Sequence, residues 1–133
     1  MCLSVFLASD AELPLVEWNV EQPGFNVSPL APTEEVVRKW LPRRHVYALG
    51  AHTHCGCGFQ RNEDNAPEDV AASRQALSEF VTAAARHGPV DLYVCWNAEV
   101  QDELTAEGTS RAAELVTDEN WLEEGALTHV VEP

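Results

Sequence analysis

The sequence has few basic residues and no long hydrophobic run. Eight Lys and Arg residues stand against 22 Asp and Glu residues, which gives a formal net charge of −14. Because a surface of that sign repels nucleic-acid phosphates and anionic membranes, we expect no nucleic-acid partner and no membrane partner. The first apolar stretch is too short to span a bilayer and follows no basic residue, so we predict no export signal. We therefore expect a cytoplasmic protein with reduced thiols.

Internal repeats and low-complexity tracts are also absent, which excludes a solenoid and argues against a disordered chain. The chain has 133 residues, of which 45% are hydrophobic and 23% are charged, as in ordinary globular proteins. This length suits one hydrophobic core, so we predict a single globular domain over residues 1–133. Self-association of such a domain through apolar patches is left open.

Hydrophobic patterning predicts strands that alternate with helices. The predicted strands cover 2–8, 45–51, 90–96 and 127–131, with a further short strand considered at 25–27. The predicted helices cover 33–41, 67–87 and 110–116, and Asn65 is expected to cap the second of them. The order favours an α/β domain with a mostly parallel sheet of at least four strands and two or three helices. The alternative is an α+β fold that contains antiparallel pairs.

Residue types that bind soft metals are concentrated in the loop after the second predicted strand, in the segment AHTHCGCGF. This segment contains His52, His54, Cys55 and Cys57. Thiolates and imidazoles are the ligands that zinc and copper prefer, and the interspersed glycines allow a tight backbone. We predict that Cys55 and Cys57 bind a soft transition metal, zinc or copper, with help from His52 or His54.

The parallel arrangement would bring further polar residues to this loop. In an open parallel sheet, ligands bind beyond the carboxyl ends of the strands. We therefore expect Asp10, Asn97 and Glu99, which follow the first and third long strands, to be additional site residues. Cys2 and Cys95 lie on predicted strands instead, and they are expected to pack in the core.

Two other interpretations use only the cysteines and glycines of the loop. In the first, the glycines permit a turn and the cysteines pack as small hydrophobic residues. In the second, Cys55 and Cys57 form a strained C-G-C disulfide that acts in thiol redox chemistry.

Two further alternatives belong to other classes of protein. A cysteine nucleophile, with His52 or His54 as its base and Asp10 or Asn97 as the orienting group, would make the protein an enzyme. The sequence indicates no substrate, however, and favours a non-enzymatic role. The strongly acidic segment 99–124 is instead typical of an interaction module that binds a basic protein partner.

Overall fold

The computed structural model describes residues 2–132, which fold around one mixed sheet of six strands. The strands are β1 (Leu3–Ser9), β2 (Asn26–Pro29), β3 (His45–Gly50), β4 (Val90–Trp96), β5 (Ala106–Arg111) and β6 (Ala126–Glu132). Their order across the sheet is β2-β3-β1-β4-β6-β5. All neighbouring strands are antiparallel except β5 and β6, which are parallel. The fold is therefore α+β.

The predicted mostly parallel α/β sheet is wrong, and the antiparallel alternative describes the sheet. The parallel prediction required a helix to return the chain between consecutive strands. Between β1 and β3, however, the chain forms β2 and only a short 3₁₀ helix, η1 (Pro32–Lys39). The predicted helix 110–116 falls partly on the end of β5 and partly on another short 3₁₀ helix further along the chain, η3 (Ala112–Val116). Strand β5 was missed because five of its six residues are exposed, so the hydrophobic pattern of a buried strand is absent.

The long helix is close to its prediction. Helix α1 (Pro67–Ala85) begins where expected and ends two residues earlier than the predicted boundary. Its N-cap is Ala66 rather than Asn65, whose side-chain amide donates to the carbonyl oxygens of Cys57 at 2.9 Å and Gln60 at 3.0 Å. Asn65 therefore holds the preceding loop instead of the helix terminus. Over residues 2–132, no helix combines the length and the apolar character needed to cross a membrane.

Hydrophobic layers cover both faces of the sheet. On one face, Leu77 and Val81 of α1 belong to the same buried cluster as Val5 and Leu92. The buried residues of the second cluster, on the η1 side, are Phe6, Ala8, Val37, Leu41, Val46, Tyr93, Cys95 and Leu127. The strand order places β1 and β4 at the centre of the sheet, and both strands contribute to both clusters.

Strand direction determines which loops meet. Strands β3 and β4 lie on either side of β1, and both are antiparallel to it. The residues that follow Gly50 and Trp96 therefore lie at the same edge of the sheet as the residue that precedes Leu3. The residue that follows Ser9 lies at the opposite edge.

Candidate metal centre

Three cysteine thiols converge at this edge of the sheet. The Sγ atoms of Cys2, Cys55 and Cys57 all lie within 4.8 Å of one another. Cys2 is exposed, whereas Cys55 and Cys57 are partly buried. Within residues 2–132, no other group of three His, Cys, Asp or Glu ligand atoms is as close. The three sulfurs are near enough together to hold one metal ion.

Cys2 is the member of this cluster that the sequence prediction missed. It was expected in the core, but it is exposed and immediately precedes β1, which begins at Leu3. Antiparallel pairing of β1 with β3 places the residue before one strand beside the loop after the other. The antiparallel alternative therefore predicts that Cys2 lies beside the C-G-C loop. Cys95, the other predicted core cysteine, is fully buried as expected.

A network of short hydrogen bonds fixes the loop that carries the other two thiols. The backbone N–H of Ala51 donates to the carbonyl oxygen of Cys55 at 2.9 Å, which closes a tight turn. The Thr53 hydroxyl donates to that same carbonyl at 3.0 Å and accepts from the N–H of Gly58 at 2.9 Å. Within the turn, His54 has a φ of 75°. The loop therefore presents Cys55 from a defined backbone.

A glycine allows this loop to lie directly against the first strand. Gly56 begins the 3₁₀ helix η2 (Gly56–Phe59), and a Cβ atom there would be 2.7 Å from the Leu3 carbonyl oxygen and 2.7 Å from Val5 Cγ2. Only glycine fits such an approach without a shift of the backbone. The contact also lets the Leu3 N–H donate to Cys57 Sγ at 3.2 Å. Close packing thus brings Cys57 beside Cys2.

Helix α1 holds the loop from its other side. Arg74 is fully buried, and its Nε donates to the carbonyl oxygen of Phe59 at 2.7 Å. The Ser73 hydroxyl oxygen accepts from the backbone N–H of His52 at 3.1 Å. The loop is therefore anchored between β1 and α1.

The two histidines of the loop have other partners. His52 Nδ1 lies 3.1 Å from Ser73 Oγ. The His54 ring stacks on the Trp18 indole, with ring centroids 4.5 Å apart and planes inclined by 4°. Neither histidine belongs to the group of mutually close ligand atoms. Their participation as ligands stays a prediction.

The three additional site residues expected from the parallel sheet are separated. Asn97 lies beside Cys2, where its Oδ1 accepts from the Cys2 N–H at 2.9 Å and its own N–H donates to the Cys2 carbonyl at 2.7 Å. Glu99 is exposed, near the same edge. Asp10 lies at the far end of β1, where it pairs with Arg43 at 3.0 Å. Reversing the direction of β1 accounts for the separation of Asp10 from the loop.

The three thiols differ in pKa: the pKa of Cys55 is lowered, whereas those of Cys2 and Cys57 are raised. Burial acts to raise the pKa of Cys55, but hydrogen bonds from the Cys57 N–H and the neighbouring thiols, together with the Thr53 hydroxyl 3.8 Å from Cys55 Sγ, outweigh burial and lower that pKa. The hydrogen bond to Cys55 and its charge raise the pKa of Cys2. Burial, and then the Cys55 thiolate, raise the pKa of Cys57 against the effect of the Leu3 N–H. The first negative charge of the cluster therefore lies on Cys55.

The cluster opens onto a cavity of about 320 Å³. Cys2 and Cys55 line it together with His54, and Glu34 of η1 lies on its wall. The remaining walls include apolar side chains of β1 and β3. A small ion can thus reach the sulfurs from solvent.

Comparison with protein-family models, with curated proteins and with solved structures finds no match. The chemistry of the site is therefore inferred from its own residues. The fold and the site together define an α+β domain with a cluster of cysteine thiols that is near enough to hold a metal ion.

Proposed function

We propose that this protein binds one soft transition-metal ion, zinc or copper, through Cys2, Cys55 and Cys57. The observation that carries the proposal is the convergence of the three Sγ atoms within 4.8 Å of one another. Thiolates are the preferred protein ligands of both metals. The net charge of −14 also favours the approach of a cation over that of an anion.

Hydrogen bonds within the chain hold Cys2 and Cys57 in place, which supports this function. Asn97 makes two hydrogen bonds to the backbone of Cys2, and the Leu3 N–H donates to Cys57 Sγ. Little conformational entropy remains to be lost when an ion binds. Binding has to displace the thiol protons, because the thiolate is the ligand form.

The test is elemental analysis of protein purified under reducing conditions without a chelator. The variant lacking all three thiols, Cys2→Ser/Cys55→Ser/Cys57→Ser, is compared with Cys95→Ser, which removes a buried thiol outside the cluster. We expect about one equivalent of metal in the wild type and the control and almost none in the triple variant. Equal metal content in all three proteins would refute the proposal.

The predicted histidine ligands are tested in the same experiment. His52→Gln and His54→Gln each remove one imidazole. A fall in metal affinity of more than about 100-fold for either variant would include that histidine among the ligands, since outer partners contribute about 10- to 100-fold.

Reversible disulfide formation is a second candidate function, favoured by the lowered pKa of Cys55 and its proximity to Cys2. A thiolate with a neighbouring thiol is suited to oxidation to a disulfide. Treatment with a two-electron thiol oxidant, followed by peptide mapping, would reveal a Cys2–Cys55 or Cys55–Cys57 bond. Retention of all free thiols after oxidation would exclude this candidate.

Binding of a basic protein partner by segment 99–124 stays a prediction. Three of its acids already pair within the described chain: Glu107 Oε2 lies 2.7 Å from His129 Nε2, Glu119 pairs with Arg74 and Arg61, and Asp102 pairs with Lys39. Association with a basic peptide that weakens steeply with added salt would support this role.

A further inference from the structure

We infer that the resident ion is monovalent copper, held by three sulfurs in a trigonal site. This inference rests on the proposed function, because it identifies the ion that the same three cysteines bind. It is based on the number and chemistry of the donor atoms that Cys2, Cys55 and Cys57 bring together.

The mutually close His, Cys, Asp and Glu ligand atoms at this site are all sulfur. Over residues 2–132, no imidazole or carboxylate joins the three thiols in the group of mutually close ligand atoms. The nearest sequence candidates are turned toward other groups: the His54 ring stacks on Trp18, and His52 Nδ1 lies beside Ser73 Oγ. The donor set is therefore three thiolates with no fourth side chain.

This donor set distinguishes copper from zinc. Structural zinc sites are almost always tetrahedral and closed by four protein ligands, so zinc here would need an exogenous ligand from the cavity. The cuprous ion is soft and prefers thiolates, and it is stable in trigonal thiolate coordination without a further ligand. The three-sulfur site thus satisfies the cuprous ion with protein ligands alone, whereas zinc would take its fourth ligand from the cavity.

The position of the loop favours retention of this geometry. Cys57 Sγ is held by the Leu3 N–H, and the loop is fixed by α1 through Arg74. Movement of His54 toward the sulfurs would break its stack with Trp18. Recruiting His54 as a fourth ligand by such a movement would therefore cost this stack.

The experiment loads the intact, reduced protein without oxygen, in parallel, with one equivalent of cuprous ion or of zinc ion. Excess glutathione is present as a competing thiol, and the protein is then desalted and its metal content measured. X-ray absorption at the metal edge reports the number of sulfur, nitrogen and oxygen neighbours. The variants are Cys2→Ser, His54→Gln, and Cys95→Ser as the control for loss of a thiol outside the site.

We expect about one equivalent of copper to be retained against glutathione, with three sulfur neighbours and no nitrogen, whereas most of the zinc is lost on desalting. Cys2→Ser should lower copper affinity by more than about 100-fold, since even outer partners of metal ligands contribute about 10- to 100-fold. His54→Gln and Cys95→Ser should leave copper affinity unchanged. Copper bound by only two sulfurs, with Cys2→Ser without effect, would overturn the inference.

The zinc arm separates this inference from the proposed function. Retention of zinc in a shell of three sulfurs and one nitrogen or oxygen would overturn the copper assignment but leave the soft-metal site intact. Retention of neither ion above the level of the triple cysteine variant would overturn both.

Discussion

Replacing Gly56 with alanine tests whether close packing of the loop on β1 creates the thiol cluster. The added Cβ would be 2.7 Å from the Leu3 carbonyl oxygen and 2.7 Å from Val5 Cγ2, whereas ordinary contacts begin at 3.4 Å. The loop and the strand would therefore have to separate by about 0.7 Å. The carbonyl belongs to the backbone of a central strand, so the loop is the part that moves.

This separation has a cost in stability and a cost in binding. Overpacking of a tight interface costs about 1–3 kcal/mol, so we expect the free energy of unfolding to fall by about 2 kcal/mol. The bond from the Leu3 N–H to Cys57 Sγ, at 3.2 Å, would lengthen and weaken. Because Cys57 would move away from Cys2, we also expect metal affinity to fall by about 10-fold or more.

Urea denaturation and a metal-competition titration measure the two effects. A loss of about 2 kcal/mol lowers the urea midpoint by about 1 M for a protein of this size. Gly24→Ala is the matched control, since a Cβ at Gly24 would meet no atom within 4 Å, and its effect should stay within about 1 kcal/mol. If Gly56→Ala matched Gly24→Ala in both measurements, the account of how the cluster forms would be wrong.

Three further predictions concern buried and charged groups outside the thiol cluster. Arg74→Met should lower the free energy of unfolding by about 3 kcal/mol, because it leaves the buried Phe59 carbonyl oxygen without its Arg74 donor and removes the ion pair with Glu119. The exposed control Arg86→Met should change the free energy of unfolding by about 0.5 kcal/mol or less in urea denaturation, and equal effects would contradict the prediction. Hydrogen bonds to the carboxylates of Glu107 and Asp91 raise the pKa of His129 above 6.5. The protonated His129 side chain therefore stabilises the fold fully below about pH 6.5, and this stabilisation is lost as the pH rises through the raised folded-state pKa. Denaturation across this range should therefore show a stability difference between wild type and His129→Gln that shrinks with increasing pH, with the exposed His87→Gln as control; a difference that grows would reverse the sign. Burial, with help from nearby carboxylates, raises the pKa of Cys95 to about 12. An alkylating reagent should therefore modify this thiol only after unfolding, and its labelling in the folded protein, detected by mass spectrometry, would contradict the prediction.

The parts of the fold that the sequence predicted are those with a strong hydrophobic pattern. Strand β4 was predicted with its observed bounds because its side chains are mostly apolar and its ends are clear, and α1 was predicted because an apolar face repeats over its length. Strand β5 carries no such pattern, since it is an exposed edge that pairs only with β6. Strand direction was the larger error, because the direction depends on pairing between distant segments and leaves no mark in local periodicity.

The same error explains both the success and the failure of the site prediction. The loop was predicted because its concentration of His, Cys and Gly residues is unusual, and this signal does not depend on the direction of the strands. The residues expected beside the loop were predicted from strand direction. Because β1 is antiparallel to β3, Asp10 lies beside Arg43 at the far edge, and Cys2 lies beside the loop instead. Asn97 stays near the loop because β4 has the same direction as β3. The exchange of Asp10 for Cys2 replaces a carboxylate with a thiol beside the loop, which is why the side chains that lie mutually close there are three cysteines.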